Sequence, residues 1–160
     1  MDIEDRIRRL EAKEAIRKLR YEYASTVDTH NWDRFITLFT EDATIEFPQQ
    51  NVEQTPFIGR DEIESFGRLM DELLTFSAHM MHNPLIDVDG DEASGIWYVA
   101  VPEVTPDGPV LIQGRYEDQY RCTSDGWKFD STEIYYDYRV SPDEGWDLNA
   151  VEEWRGRDRP

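Results

Sequence analysis

Through the first 27 residues, apolar side chains recur at three- and four-residue intervals: Ile3, Ile7 and Leu10, then Ile16, Leu19, Tyr23 and Val27, with one break near Lys13. That spacing places them on one face and predicts one long amphipathic helix or two joined ones. Residues 28–32 (DTHNW) supply cap and turn chemistry, and Trp32, Phe35, Ile36, Leu38 and Phe39 mark a second helix. Residues 43–47 (ATIEF) read as a short strand, and 48–56, polar and holding two prolines, as a loop. Residues 57–74 predict a third helix, with Gly59 before it and Asp61 near its start, where a carboxylate suits the helix dipole.

From residue 79 the period changes from helical to two. Residues 79–88 predict a strand in which Pro84 demands an edge or a bulge. The Asp-Gly pair at 89–90 predicts a hairpin turn, with 92–101 returning. Residues 102–109 (PEVTPDGP) read as a loop, 110–123 as a long strand, 124–127 (SDGW) as a second turn and 127–138 as the last strand. Helices followed by an antiparallel meander predict an α+β fold with the helices on one face of a curved sheet. No repeat or linker interrupts it. Residues 1–140 are expected to form one domain, and 141–160, acidic then basic, a C-terminal extension or interface piece.

Composition narrows the function classes. At 160 residues, 39% hydrophobic and 12% aromatic, the chain can bury a core with room for a cavity. No apolar run approaches the ~20 residues needed to cross a bilayer, and the charged N-terminus lacks a signal-peptide centre, so no membrane partner is expected. A single cysteine, Cys122, cannot pair internally, which points to a reducing cytoplasm. The net charge of -18 argues against nucleic acid as a partner. Lysine is scarce, three against fourteen arginines, which fits a salt-rich cytoplasm or a plain acidic surface. Thermal stability measured across a KCl series separates the two, because a halophilic protein unfolds at low salt.

Candidate chemistry reduces to acid–base work. The sequence lacks a P-loop, a dinucleotide glycine fingerprint and a Cys-x-x-Cys pair. His79 and His82 lie an odd number apart, so on one strand they face opposite ways and hold a metal together only if the bulge begins early. No metal is expected, and Cys122 reads as a small packed residue. A strand histidine facing a concave sheet can take a proton near neutral pH, best with a carboxylate fixing its tautomer. Asp28, at the end of the first helix, is a candidate for that carboxylate, or else a helix-ending residue. Tyr23, one turn before Val27, either offers a hydrogen bond to a substrate oxygen or simply packs.

Four stretches in order, 21–47 (YEYASTVDTHNWDRFITLFTEDATIEF), 57–66 (FIGRDEIESF), 79–95 (HMMHNPLIDVDGDEASG) and 114–129 (GRYEDQYRCTSDGWKF), resemble the SnoaL-like branch of the nuclear transport factor 2-like superfamily. The resemblance spans about residues 5–135. It implies a cone-shaped α+β barrel: a strongly bent antiparallel sheet wrapped by about three N-terminal helices around a deep cavity. The patterns are most similar to the cofactor-free lyase families of scytalone dehydratase, bile acid 7α-dehydratase and hexachlorocyclohexane dehydrochlorinase. That likeness implies His79 as base, Asp28 as its partner and Tyr23 as a hydrogen-bonding group, with no cofactor. It also implies a hydrophobic cyclic substrate in a cavity lined by Ile45, Trp97, Val99 and Tyr116, chosen by alternation and family position. The chain departs where two of these families carry a substrate-contacting arginine in the last strand. Thr132 stands at about that place, with Arg115 or Arg139 as possible substitutes, and His82 falls where a small or apolar residue is usual. Relatives are dimers or trimers, so a homo-oligomer is expected, with Tyr135, Tyr136, Tyr138 and Trp146 as exposed interface aromatics. The competing expectations are a binding or assembly module of the same fold, and an epoxide hydrolase or ketosteroid-isomerase-like enzyme.

Overall fold

In the computed structural model, residues 2–48 and 55–143 are described. Helix α1 runs unbroken from Ile3 to Asp28, capped by the Asp2 side chain accepting from the Asp5 N–H. Its apolar stripe divides in two. Ile16, Leu19, Tyr23 and Val27 are buried, whereas Ile3, Ile7 and Leu10 remain 65%, 48% and 67% exposed, because the first turns extend past the edge of the body. Asn31 caps the short α2 (Trp32–Ile36), with its side chain accepting from the Arg34 N–H. Helix α3 (Gly59–Leu73) begins at a left-handed Gly59, and Glu62 turns back to accept from the Ile58 N–H at 2.7 Å.

Among the described residues, seven strands form one curled sheet: β1 (Phe39–Glu46), β2 (Phe57–Ile58), β3 (Phe76–Ser77), β4 (Met80–Asp89), β5 (Glu92–Thr105), β6 (Gly108–Thr123) and β7 (Gly126–Val140). Their order is β2-β1-β7-β6-β5, with β3 and β4 both laid along the outer side of β5. The sheet is mixed, not wholly antiparallel, since β1 runs parallel to β7 and every other pairing is antiparallel. The meander β4–β7 leaves β7 with an open side, and β1 pairs there, carrying β2 on its far edge.

Residues 102–109 are not a loop. Strand β5 continues to Thr105, and a turn at residues 106–107 leads directly into β6. Pro102 is tolerated because its carbonyl, not its missing N–H, is engaged, accepting from Ala78 at 3.1 Å. Pro84 sits where the β4–β5 register shifts, beside Asn83 in the left-handed region at φ 46°. A second shift, at Gln113 and Gly114, lets the β7 backbone come so close to Gly114 that a Cβ there would lie 2.0 Å from the Tyr135 carbonyl oxygen.

The narrow end of the cone is filled by rings. Tyr23, Phe35, Phe39 and Phe129 pack with centroids 5.0–6.2 Å apart, a spacing suited to edge and tilted aromatic contacts. The wide end is left open between α3 and the far halves of β5–β7. The described strands span residues 39–140, and the expected extension from 141 lies almost entirely outside the described residues. No helix among the described residues is long and apolar enough to cross a membrane.

Candidate active site

The open end of the cone holds a cavity of about 1060 Å³. Helix α3 supplies an apolar wall through Phe66, Leu69, Met70 and Leu73, and α1 contributes Tyr23 and Val27. The sheet adds Phe47, Tyr116, Ile134 and Tyr136, while polar groups gather at one side in His79, Glu103 and Arg139. A mostly apolar pocket with a few convergent polar groups is the usual form of a small-molecule site.

Asp28 and His79 meet at its wall. His79 lies in the two-residue break between β3 and β4, one residue before the strand expected to contain it, and that break lets its ring turn inward. His79 Nδ1 lies 2.6 Å from Asp28 Oδ1. An ionised carboxylate only accepts, so the ring nitrogen donates and Nε2 is left as the basic nitrogen. Asp28 Oδ2 accepts from the His79 backbone N–H at 2.9 Å, and Ser77 Oγ donates to Oδ1 at 2.8 Å. The side chains are 8% and 24% exposed. Partial burial alone pushes the Asp28 carboxyl up, but the hydrogen bonds and charge of His79, with Ser77, outweigh it and hold the group below the usual aspartate range. On its other side the dyad borders a shallow groove formed with Tyr21, Ser25 and Thr29, so Asp28 reaches solvent from the helix face.

His82 does not join the dyad. It is exposed on the convex face opposite Tyr98, and the third histidine, His30, pairs with Asp71 outside the cone at 2.6 Å. Among the described residues no group of three His, Cys, Asp or Glu side chains converges as a metal site requires.

Of the four residues expected to line the cavity, Tyr116 is found there; Ile45, Trp97 and Val99 are buried in the packed core instead. They point inward as alternation requires, but at levels where the cone is already filled. Trp97, for example, packs edge-on against Tyr21 and donates to the Tyr120 hydroxyl at 2.9 Å. Tyr135, Tyr136 and Tyr138 do not share an exposed face either. Neighbours on a strand alternate: Tyr136 lines the cavity, Tyr135 lies outside under Arg115, and none of the three is fully exposed. Trp146 lies outside the described residues. Arg115 is held on the outer face by Glu117 and Asp137, at 2.8 and 3.1 Å, whereas Arg139 borders the cavity. Thr132 is buried beneath the cavity floor, donating to Asp118 Oδ1 at 2.6 Å.

Two features escaped the sequence reading. Glu103 lies almost wholly buried at the cavity wall, where burial pushes its carboxyl up and the neighbouring His79 and Arg139 only partly oppose that. Its signal was its phase, in step with the inward-facing Trp97, Val99 and Val101, and the prolines around it disguised the strand. Arg20, on the buried face of α1, forms a wholly buried ion pair with Asp118. Its signal was a charge in register with Ile16, Tyr23 and Val27.

Comparison with known proteins places the fold. A structure from Novosphingobium aromaticivorans, provisionally described as an aromatic ring hydroxylase, is 31% identical, with a TM-score of 0.73 over 79% of this chain and 90% of that one. Another from the same organism, provisionally a scytalone dehydratase, is 21% identical with a TM-score of 0.73 over 82% and 87%. A hexachlorocyclohexane dehydrochlorinase from Novosphingobium barchaimii, 19% identical, gives 0.73 over 82% and 90%. No curated protein matches the chain in sequence. The family model for the SnoaL-like domain matches residues 8–133. With the bent mixed sheet, the three helices and that match over most of its length, the chain belongs to the SnoaL-like family.

Proposed function

We propose that the protein is a cofactor-independent lyase or isomerase that removes a proton from a hydrophobic cyclic small molecule. The observation that supports this most directly is the Asp28–His79 dyad at the wall of a largely apolar cavity. Asp28 fixes the tautomer and stabilises the imidazolium, leaving Nε2 to take a proton from a carbon acid. Tyr23, whose phenol is pushed up to about 12 mainly by burial, stays protonated and donates a hydrogen bond to the substrate oxygen. Glu103, whose carboxyl burial pushes up, is the acid that supplies the proton a departing hydroxyl or the far carbon of an isomerising system requires. Two relatives described as acting on an aromatic ring and on hexachlorocyclohexane support a cyclic substrate. The same reading has the chain working in the cytoplasm as a homo-oligomer.

The test is proton exchange. With a cyclic ketone in D2O, the wild type is expected to accelerate deuterium incorporation next to the carbonyl, followed by NMR. His79→Ala should lower the rate by about 100- to 10,000-fold, while His82→Ala should leave it unchanged. A wild type that binds the ketone without exchanging it is a binding module, and the base reading is then wrong.

A further inference from the structure

Beneath the cavity floor lies a charged pair that the proton transfer to His79 does not touch. The Arg20 side chain is completely buried. Its Nη2 bonds to Asp118 Oδ1 and reaches Thr132 Oγ1 at 3.2 Å, while Nε and Nη1 have no hydrogen-bond partner among the described residues. The guanidinium carbon lies 4.4 Å from the ring centre of Tyr23, 4.2 Å from that of Tyr116 and 4.5 Å from that of Phe129. Asp118 is held by donors: Thr132 at 2.6 Å and Tyr120 at 2.5 Å, the latter in turn accepting from Trp97. The pair is thus an oriented dipole whose cationic end rests against two phenols, and both phenols line the cavity.

Burying such a pair carries a large desolvation penalty, and apolar residues of similar volume often serve stability as well or better. Its placement has a chemical use. When His79 takes a proton from carbon, the C–H bonding pair moves into a new carbon–carbon double bond, and the carbonyl π pair moves onto oxygen. The proton ends on Nε2 and the negative charge on an oxyanion. Donors aimed at that oxygen, in a site of low dielectric and backed by a fixed positive charge, stabilise it far more than water-exposed donors would.

We propose that Arg20, fixed by Asp118 and Thr132, is a positioning residue that makes the Tyr23 and Tyr116 hydroxyls a paired donor site for an oxyanion, so that the substrate is a carbonyl compound or a phenol and not an oxygen-free ring. This rests on the reading of His79 as a base and adds the class of group the cavity recognises. Burial raises both phenols; Tyr23 pushes Tyr116 up further and Arg20 pulls each of them back, and a hydrogen bond between the two hydroxyls links them into one donor unit.

The probe is 4-nitrophenol, whose ionised form absorbs visible light, with nitrobenzene as a neutral companion. Wild-type protein should bind nitrophenolate, and the double variant Arg20→Met/Asp118→Asn, which removes both charges and leaves neither alone, should bind it at least about ten-fold more weakly. The apparent pKa of the bound phenol should rise by the corresponding one unit, with nitrobenzene affinity unchanged. Arg20→Lys should restore most of the difference. Tyr23→Phe and Tyr116→Phe, which need no repacking of the ion pair, should each show the same selective loss if the double variant fails to fold. Wild-type protein that does not bind nitrophenolate, or tyrosine variants that bind it unchanged, would overturn the inference. A double variant that is folded and keeps the wild-type titration would do the same. Failure of the base reading looks different: ketone exchange indifferent to His79, with the nitrophenol titration intact.

Discussion

Replacing Asp28 by asparagine tests the dyad and its surroundings together. The carboxylate accepts from Ser77 Oγ, the His79 N–H and His79 Nδ1 at 2.8, 2.9 and 2.6 Å. An asparagine offers one acceptor oxygen and an NH2 that only donates. With the NH2 in the place of Oδ2, the His79 backbone N–H loses its partner. With the NH2 in the place of Oδ1, the ring must present an acceptor at Nδ1, which moves its proton to Nε2 and blocks the base. A buried donor left unmade costs about 1–3 kcal/mol, and at this chain length each kcal/mol is about 2–4 °C in Tm. The expected loss at neutral pH is therefore about 2–12 °C by calorimetry, together with a fall in ketone exchange of about 100- to 10,000-fold. The loss should also depend on pH. Asp28 is held below the usual range in the fold, so its contribution is full above the ordinary aspartate pKa of about 3.9. It disappears as pH falls through the lower, folded value. The Tm gap between wild type and variant should close in acid. An asparagine variant with wild-type Tm and exchange at neutral pH would refute the reasoning, and so would a gap that persists below both pKa values.

Glu103 should behave in the opposite sense. Its folded pKa is raised, so its contribution is full below the ordinary glutamate value of about 4.3 and is lost as pH rises through the folded one. Glu103→Gln is expected to raise Tm at neutral pH and to leave it unchanged in acid; a variant less stable at neutral pH would mean the carboxylate is satisfied as an anion. Gly114→Ala places a Cβ 2.0 Å from the Tyr135 carbonyl oxygen, which only a backbone shift relieves. It should cost about 3 kcal/mol or more, read from the urea midpoint, and an unchanged midpoint would show that β6 and β7 part there freely.

The helices were legible because α1 and α3 have apolar faces at helical spacing, and β4 to β7 because their alternation is long. The expectation for α1 failed only where a periodic pattern ran past the body it packs on, since periodicity reports a face and not what covers it. Strands β2 and β3 are two residues each, too short to show a period. The prolines at 102, 106 and 109 hid the β5–β6 hairpin, because loop composition and an edge-tolerant strand look alike. The site was partly legible. His79, Tyr23 and Tyr116 line one cavity, with Asp28 bonded to His79 behind its wall, but how far the cone is filled depends on side-chain volumes summed across the sheet. That is why Ile45, Trp97 and Val99 point inward and still miss the cavity. The Arg20–Asp118 pair could be read as two inward-facing charges, yet nothing local joins residues that far apart in the chain.

The parallel pairing of β1 with β7 also bears on how the chain folds. Thr44 and Ser131, from its two ends, sit in register, and Asp118 and Thr132, which hold Arg20 of the first helix, belong to the last two strands. A chain emerging N-terminus first can form its helices and the hairpins of β4, β5 and β6 as they appear, because those contacts are local. The cone closes only when β7 arrives, at the price of the loop closure that makes such topologies slow to fold. Until then Arg20 has no complete pocket and β1 has no partner on the β7 side, so binding competence is a property of the finished chain.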